Sequence, residues 1–196
     1  MSKNETDKER IDPRIIRTRA LLGQALTDVL KEKNFQSISV QDITEKAGVN
    51  RTTFYLHFQD KFALLEFNIH NLFREELEKR TLDICQYNPE NLNALIIAVA
   101  EFIQFASSHC ESRPNDPQFE NLVEMVVKNR VREILQTWVK STQPDSDSDR
   151  IGVAASWALY GLALDWFHTH KRPPVTTFTD KIAPLIKNIL QPGLAG

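Results

Sequence analysis

Apolar residues recur at helical spacing along nearly the whole chain, and no long strand-like alternation interrupts them, which predicts an all-α protein. A first helix is expected from Pro13 to about Lys33, with Asp12 as N-cap and proline at the first helical position. Leu22, Ala25, Leu26, Val29 and Leu30 form its apolar stripe. Arg14, Arg17 and Arg19 crowd its first turns, where the helix dipole favours acids, so a bound anion would make sense of them. Asn34 closes the helix, and Phe35 and Ile38 pack under the next element.

The stretch from Val40 to Phe62 predicts two short helices around a turn. Ser39 and Asp42 have capping-box spacing. Val40, Ile43 and Ala47 make an inner face, and Gly48 supplies the left-handed residue that ends the helix. Asn50 caps the next helix, Arg51 to about His57, with Phe54 and Phe58 turned inward. A further helix is expected from Lys61 to Leu82, where Glu75/Lys79 and Glu76/Arg80 form surface pairs.

Downstream, Asn88-Pro89 starts a helix to about Ser108, and Ser112 to Pro117 is a loop. Phe119 to Trp138 continues as a long helix with a break expected near Lys128 and with Lys128, Arg130 and Arg132 on a solvated face. Thr142 to Asp149 is a polar, acidic loop. Ile151 to His170 is apolar on nearly every face and therefore needs cover on every face, including cover from a second subunit. Arg172-Pro173-Pro174 breaks it, and a last helix runs from about Thr179 to Leu190.

Composition narrows the picture. At 196 residues and 41% hydrophobic content the chain can bury a sizeable core. A net charge of −2 argues against bulk coating of nucleic acid, although residues 1–62 hold 11 Lys+Arg against 9 Asp+Glu and the remainder 13 against 17. Cys85 and Cys110 lack metal-ligand spacing and suit a reducing cytoplasm. The most apolar stretch is too short to span a bilayer, so no membrane association is expected. Phosphate-loop, dinucleotide, zinc-protease and serine-hydrolase motifs do not occur, so neither an enzyme nor a cofactor is expected. His168 and His170, two apart on a helix, point away from each other and are not expected to share a metal. Glu101, Glu120, Glu124 and Asp165 lie on aromatic-rich helices, either on the surface or facing a pocket.

The run SVQDITEKAGVNRTTFYLHFQDKFALL, with its capped Ser39, Ala47-Gly48-Val49 turn, Phe54-Tyr55, His57-Phe58 and Asp60-Lys61, resembles the N-terminal domain of the TetR (tetracycline-repressor) family of bacterial regulators. The resemblance covers about residues 13–70; the rest is similar only in helical layout. It implies a three-helix, homeodomain-like helix-turn-helix domain over residues 1–62, linked through the helix at about 61–82 to a larger ligand-binding and dimerisation domain over 63–196. The implied partners are double-stranded DNA, a second copy held through helices at about 151–170 and 179–190, and a small-molecule effector. The implied function is a transcriptional regulator, most simply a repressor released from a near-palindromic operator; the alternative is an interaction protein on this scaffold, controlled by a protein partner.

Residues in the first turn of a helix lying in the major groove meet base edges. Arg51 is expected to fork to guanine, Thr52 and Thr53 to read bases or a thymine methyl, and Tyr55 to reach phosphate or a base. The family often has glycine where Thr52 stands. Arg17 and Thr18 match its backbone-contacting helix start, and Gln41 and Lys61 are further phosphate candidates. Asn50 and His57 complete the expected DNA-binding set. Leu56 stands where relatives carry polar or aromatic residues and is left out. Phe102, Phe105, Glu124, Trp138, Trp157 and Tyr160 are candidate ligand-binding residues.

Overall fold

Asp12 and Pro13 start the first helix as expected: an Asp12 carboxylate oxygen accepts from the Arg14 N–H at 2.9 Å, and α1 spans Pro13–Leu30. The computed structural model describes residues 12–80, 86–108 and 116–191, which leaves Cys85, Cys110, Leu82, residues 1–11 and most of the 112–117 loop outside the described residues. Helix α1 stops three residues short of the expected Lys33. Beyond Leu30 only a turn remains, because the polar run from Lys31 to Asn34 offers nothing to bury. One 3-10 turn, Phe35–Ser37, comes next, with Phe35 and Ile38 buried on either side of its exit.

Helix α2, Val40–Ala47, begins on a complete capping box. The Ser39 hydroxyl accepts from the Asp42 N–H, and the Asp42 carboxylate accepts from the Ser39 N–H. Gly48 at φ 67° ends it in the left-handed region, where a side chain would be strained. Ile43 and, unexpectedly, Thr44 form its fully buried face; the Thr44 hydroxyl donates to the Gln41 carbonyl, which removes the cost of burying it. Helix α3 is Arg51–His57, and α4 is Lys61–Glu78, with Asp60 accepting from the Ala63 N–H at 2.8 Å.

The chain divides into two compact units at Asn68/Ile69, within α4. In the first unit, α1 packs on α2 and α3 over Leu22, Leu26, Phe54 and Leu64. Asn68 donates to the Thr27 hydroxyl at 2.9 Å beside Gly23, where a Cβ would come within 2.9 Å of the Asn68 side chain.

The second unit holds α5 (Pro89–Ser108), α6 (Pro117–Thr142), α7 (Ser148–His168) and α8 (Val175–Leu190), with α7 packed on the other three. Helix α6 runs unbroken through Lys128. No glycine or proline stands there, and Val127 and Val131, four apart, keep the buried stripe continuous. Helix α8 starts four residues earlier than expected, directly after Pro174. Arg80 is no surface partner: only 19% exposed, it pairs with both Glu76 and Glu101, which accounts for Glu101 without a pocket. Within the chain α7 is covered on one side. Ala155, Leu159 and Ala163 are fully buried, while Val153, Trp157 and Gly161 face outward.

The α2 cap generates the first prediction. The Lys33 ammonium, then the Ser39 N–H and hydroxyl, hold the Asp42 carboxyl well below the usual carboxylate range. A depressed folded-state pKa stabilises above the ordinary value of about 3.9 and loses that contribution as pH falls below it. Asp42→Asn should therefore lower the melting temperature at neutral pH and converge on wild type in acid. Ser39→Ala should cost about 1 kcal/mol in chemical denaturation.

Candidate nucleic-acid interface

Helix α3 is seven residues long, and its two sides are set by the residues that cap and bury it. Asn50 turns its side-chain carbonyl back onto the helix and accepts from both the N–H and the hydroxyl of Thr53, at 2.7 and 2.9 Å. Phe54 is fully buried and Phe58 nearly so, with 6.0 Å between their ring centroids. That leaves Arg51, Thr52, Tyr55 and Leu56 exposed, a contiguous face at helical spacing. Tyr55 is 57% exposed, steadied by an edge contact with Phe54.

Helix α2 reaches this face through one side chain. Arg51 donates to the Gln41 side-chain carbonyl at 2.8 Å, and the Gln41 amide donates to Glu45 at 2.7 Å. Gln41 thus holds one terminal nitrogen of the guanidinium, Nη2, and leaves the N–H groups of Nη1 and Nε for an external acceptor. Ion pairs from Lys33 to Asp42 and from Lys46 to Glu32 tie α2 to the turn that follows α1.

The remaining expected DNA contacts divide. Arg17 is exposed near the start of α1, and Thr18 is half-buried with its hydroxyl on the Arg14 carbonyl at 2.9 Å. Thr53 and Asn50 are engaged with each other in the cap, and His57 is half-buried. Arg19, third of the basic cluster, turns inward over the rings of Phe58 and Phe67, 5.7 Å from each centroid.

Lys61 departs from expectation. Its ammonium donates to the carbonyls of Phe35, Gln36 and Ile38 at 2.8, 3.1 and 2.8 Å and lies 4.7 Å from the centroid of the Phe35 ring. An ammonium has three N–H donors, so a set of three carbonyls saturates it. Its position at a helix start suggests a phosphate ligand; sequence spacing does not carry the fact that the 3-10 turn folds three carbonyls toward it. Leu56, left out of the expected set, is 78% exposed on the same face as Arg51 and Tyr55. The helical register alone places it there, four residues after Thr52.

In the second unit the candidate ligand residues do not converge. Phe102, Trp138 and Tyr160 are core: Phe102 lies against Phe73 and Phe105, and Trp138 against Tyr87. Phe105 is 41% exposed. Aromatics at helical spacing on inner faces fill a bundle before they line a cavity. Glu124 and Trp157 share a cleft of about 300 Å³ between α6 and α7 whose walls include Met125, Lys128, Arg132 and Ser156. Lys128, expected on a solvated face, instead donates to Glu124 at 2.6 Å and sits 3.2 Å over the Trp157 ring. Arg132 has no hydrogen-bond or ion-pair partner among the described residues, and its Nε is buried. Burial, followed by the charges of Glu124 and Glu120, pushes the Tyr160 phenol above its ordinary pKa. Among the described residues no group of three or more metal-ligating side chains occurs, and no helix is long and apolar enough to cross a membrane.

Residues 24–66 match the model of the family described as bacterial regulatory proteins, tetR family. An uncharacterized HTH-type transcriptional regulator of Bacillus subtilis (strain 168), YxbF, is 40% identical over 80 residues, which are 40% of this chain and 21% of that protein. DhaS of Lactococcus lactis subsp. lactis (strain IL1403), an HTH-type transcriptional activator of the dhaKLM operon, is 35% identical over 58 residues, 30% of this chain and 31% of that one. The matched segment thus spans between a fifth and a third of these relatives. Among solved structures, a TetR transcriptional regulator from Streptococcus agalactiae 2603V superposes with a TM-score of 0.56 at 21% identity, covering 89% of this chain and 96% of that one. That likeness carries the fold over almost the full length.

Lys61→Met tests the reassigned lysine. It leaves three carbonyls without their donor and should destabilise the first unit by about 1–3 kcal/mol in the absence of DNA. A variant as stable as wild type but weaker on DNA would return Lys61 to the phosphate-contacting set.

Proposed function

We propose that the chain, whose residues 24–66 match the tetR family model, is a sequence-specific, DNA-binding transcriptional regulator of that family, working as a non-enzymatic homodimer in the cytoplasm. The observation that carries the reading is the exposed α3 face: Arg51, Thr52 and Tyr55 stand clear of a helix whose other side is capped and buried, with Arg51 oriented by Gln41. A guanidinium on a recognition helix fits the O6/N7 edge of guanine, and threonine and tyrosine add base or phosphate contacts. Arg17 and Thr18 are the phosphate-side contacts that set its register.

Dimerisation through α7 and α8 is supported by what those helices leave uncovered. Ala154 and Gly161 on α7 and Leu185 on α8 are exposed, and a Cβ added at Gly161 would meet open space. Small exposed residues on α7 and a 53%-exposed leucine on α8 allow close approach of a second copy. Two copies place two recognition helices on half-sites about 34–36 Å apart, which implies a near-palindromic operator.

Control is proposed to come from a small-molecule effector in the second unit. The cleft between α6 and α7 supports an anionic one. Lys128 already neutralises Glu124, so Arg132 remains the uncompensated charge, beside the apolar Met125 and Trp157. A small carboxylate with an apolar body fits that set. The effector must favour one of two states, and α4, which contributes residues to both units, is the element it would act through. The sign is proposed as repression relieved by the effector. DhaS, a named activator, favours activation as the second reading.

Two measurements test these assignments. Arg51→Ala should weaken binding to a selected operator in gel shifts by about 10–100-fold while leaving the dimer intact by light scattering; wild-type affinity would remove Arg51 from the recognition set. Millimolar benzoate, as a probe carboxylate, should raise the melting temperature of wild type by mass action and leave Arg132→Gln unmoved. An equal shift in both proteins would place the ligand elsewhere.

A further inference from the structure

We infer that Leu56 is a specificity-determining residue that reads a thymine through its C5-methyl group; the inference rests on the reading of α3 as a recognition helix. Leu56 is 78% exposed, the highest value among the exposed large hydrophobic residues of the described chain. A side chain of this kind on an otherwise polar helix face gains only where it meets an apolar surface. It belongs to the same face as Arg51, Thr52 and Tyr55 and so continues the proposed interface.

The occupant is set by the chemistry a major groove offers. Base edges there present hydrogen-bond donors and acceptors, and the thymine methyl is the one apolar group among them. Leucine can neither donate nor accept, so of all the signals in the groove it is matched to that one. Leu56 lies five residues beyond Arg51, about 7.5 Å along the axis and about 140° around it, so the thymine it reads is a different base from the guanine read by Arg51.

Uracil differs from thymine only by lacking the methyl. The test is therefore to select an operator in vitro with the full-length protein, then to replace each thymine singly by uracil and titrate wild type and Leu56→Ala. At one position in each half-site wild type should lose about 3–5-fold, the worth of about one buried methyl. Leu56→Ala should bind the thymine operator less tightly by a similar factor and be indifferent to uracil there. Leu56→Gln, which keeps the length and is polar at an exposed site, should show the same indifference and guards against a misfolded alanine variant. If both variants weaken every duplex equally, Leu56 packs on sugar or stabilises the helix, and the inference fails. It also fails if both keep the wild-type uracil profile, which would leave the exposed leucine to a protein surface. A selection that returns no consensus overturns the regulator reading and this inference together; a consensus without uracil coupling to Leu56 overturns this inference alone.

Discussion

The ammonium of Lys61 is the point on which the first unit turns. Three carbonyls from one short turn converge on it, and those of Phe35 and Ile38 are partly buried beside the buried side chains of the same two residues. Unsatisfied carbonyls there would cost more than a net hydrogen bond gains. The lysine thus allows the chain to leave α1, make one 3-10 turn and enter α2 over residues 31–39. Ser39 comes directly after, so the capping box of α2 starts from backbone that Lys61 has already fixed. Gly48 and Asn50 then set α3 against α2. The orientation of the exposed α3 face thus descends from a residue outside that face.

This arrangement also bears on how specificity arises. The first unit has little basic surplus, and two of its cations face inward: Arg19 over two aromatic rings, Lys61 into carbonyls. Toward solvent near α3 there remain a few side chains of definite shape. Arg51 is restrained by Gln41, and Thr53 by Asn50. Restrained side chains lose less freedom on binding, so a small interface can discriminate among sequences without a strong nonspecific field.

The local logic of the chain is legible in its sequence, and the long-range logic is not. Caps at Asp12, Ser39 and Asn50, and the left-handed Gly48, arise from backbone chemistry within three or four residues, and all four stand as expected. Inner faces come from periodicity. Expectation and structure part where a side chain meets a partner distant in sequence. Lys61 finds a turn more than twenty residues away, Arg80 finds Glu101, and Lys128 finds the indole of Trp157. Charge predicts exposure for each of them and carries no information about pairing. The aromatic set departs in the opposite direction: Phe102, Trp138 and Tyr160 fill the bundle, and periodicity cannot separate a wall from a filling.

Gly23 sits in the middle of α1, where alanine would favour the helix by about 1 kcal/mol. The chain retains glycine at a place where a methyl would crowd the flexible end of Asn68, which holds Thr27. Helix propensity and a hydrogen bond of about 1 kcal/mol are nearly balanced at this one site. A conventional thermostabilisation campaign would select Gly23→Ala and register little change in the melting curve. The change would nevertheless exchange a side-chain link between α1 and α4 for stiffness within α1. Position 23 is therefore a place to alter the mechanical attachment of α4 without altering net stability.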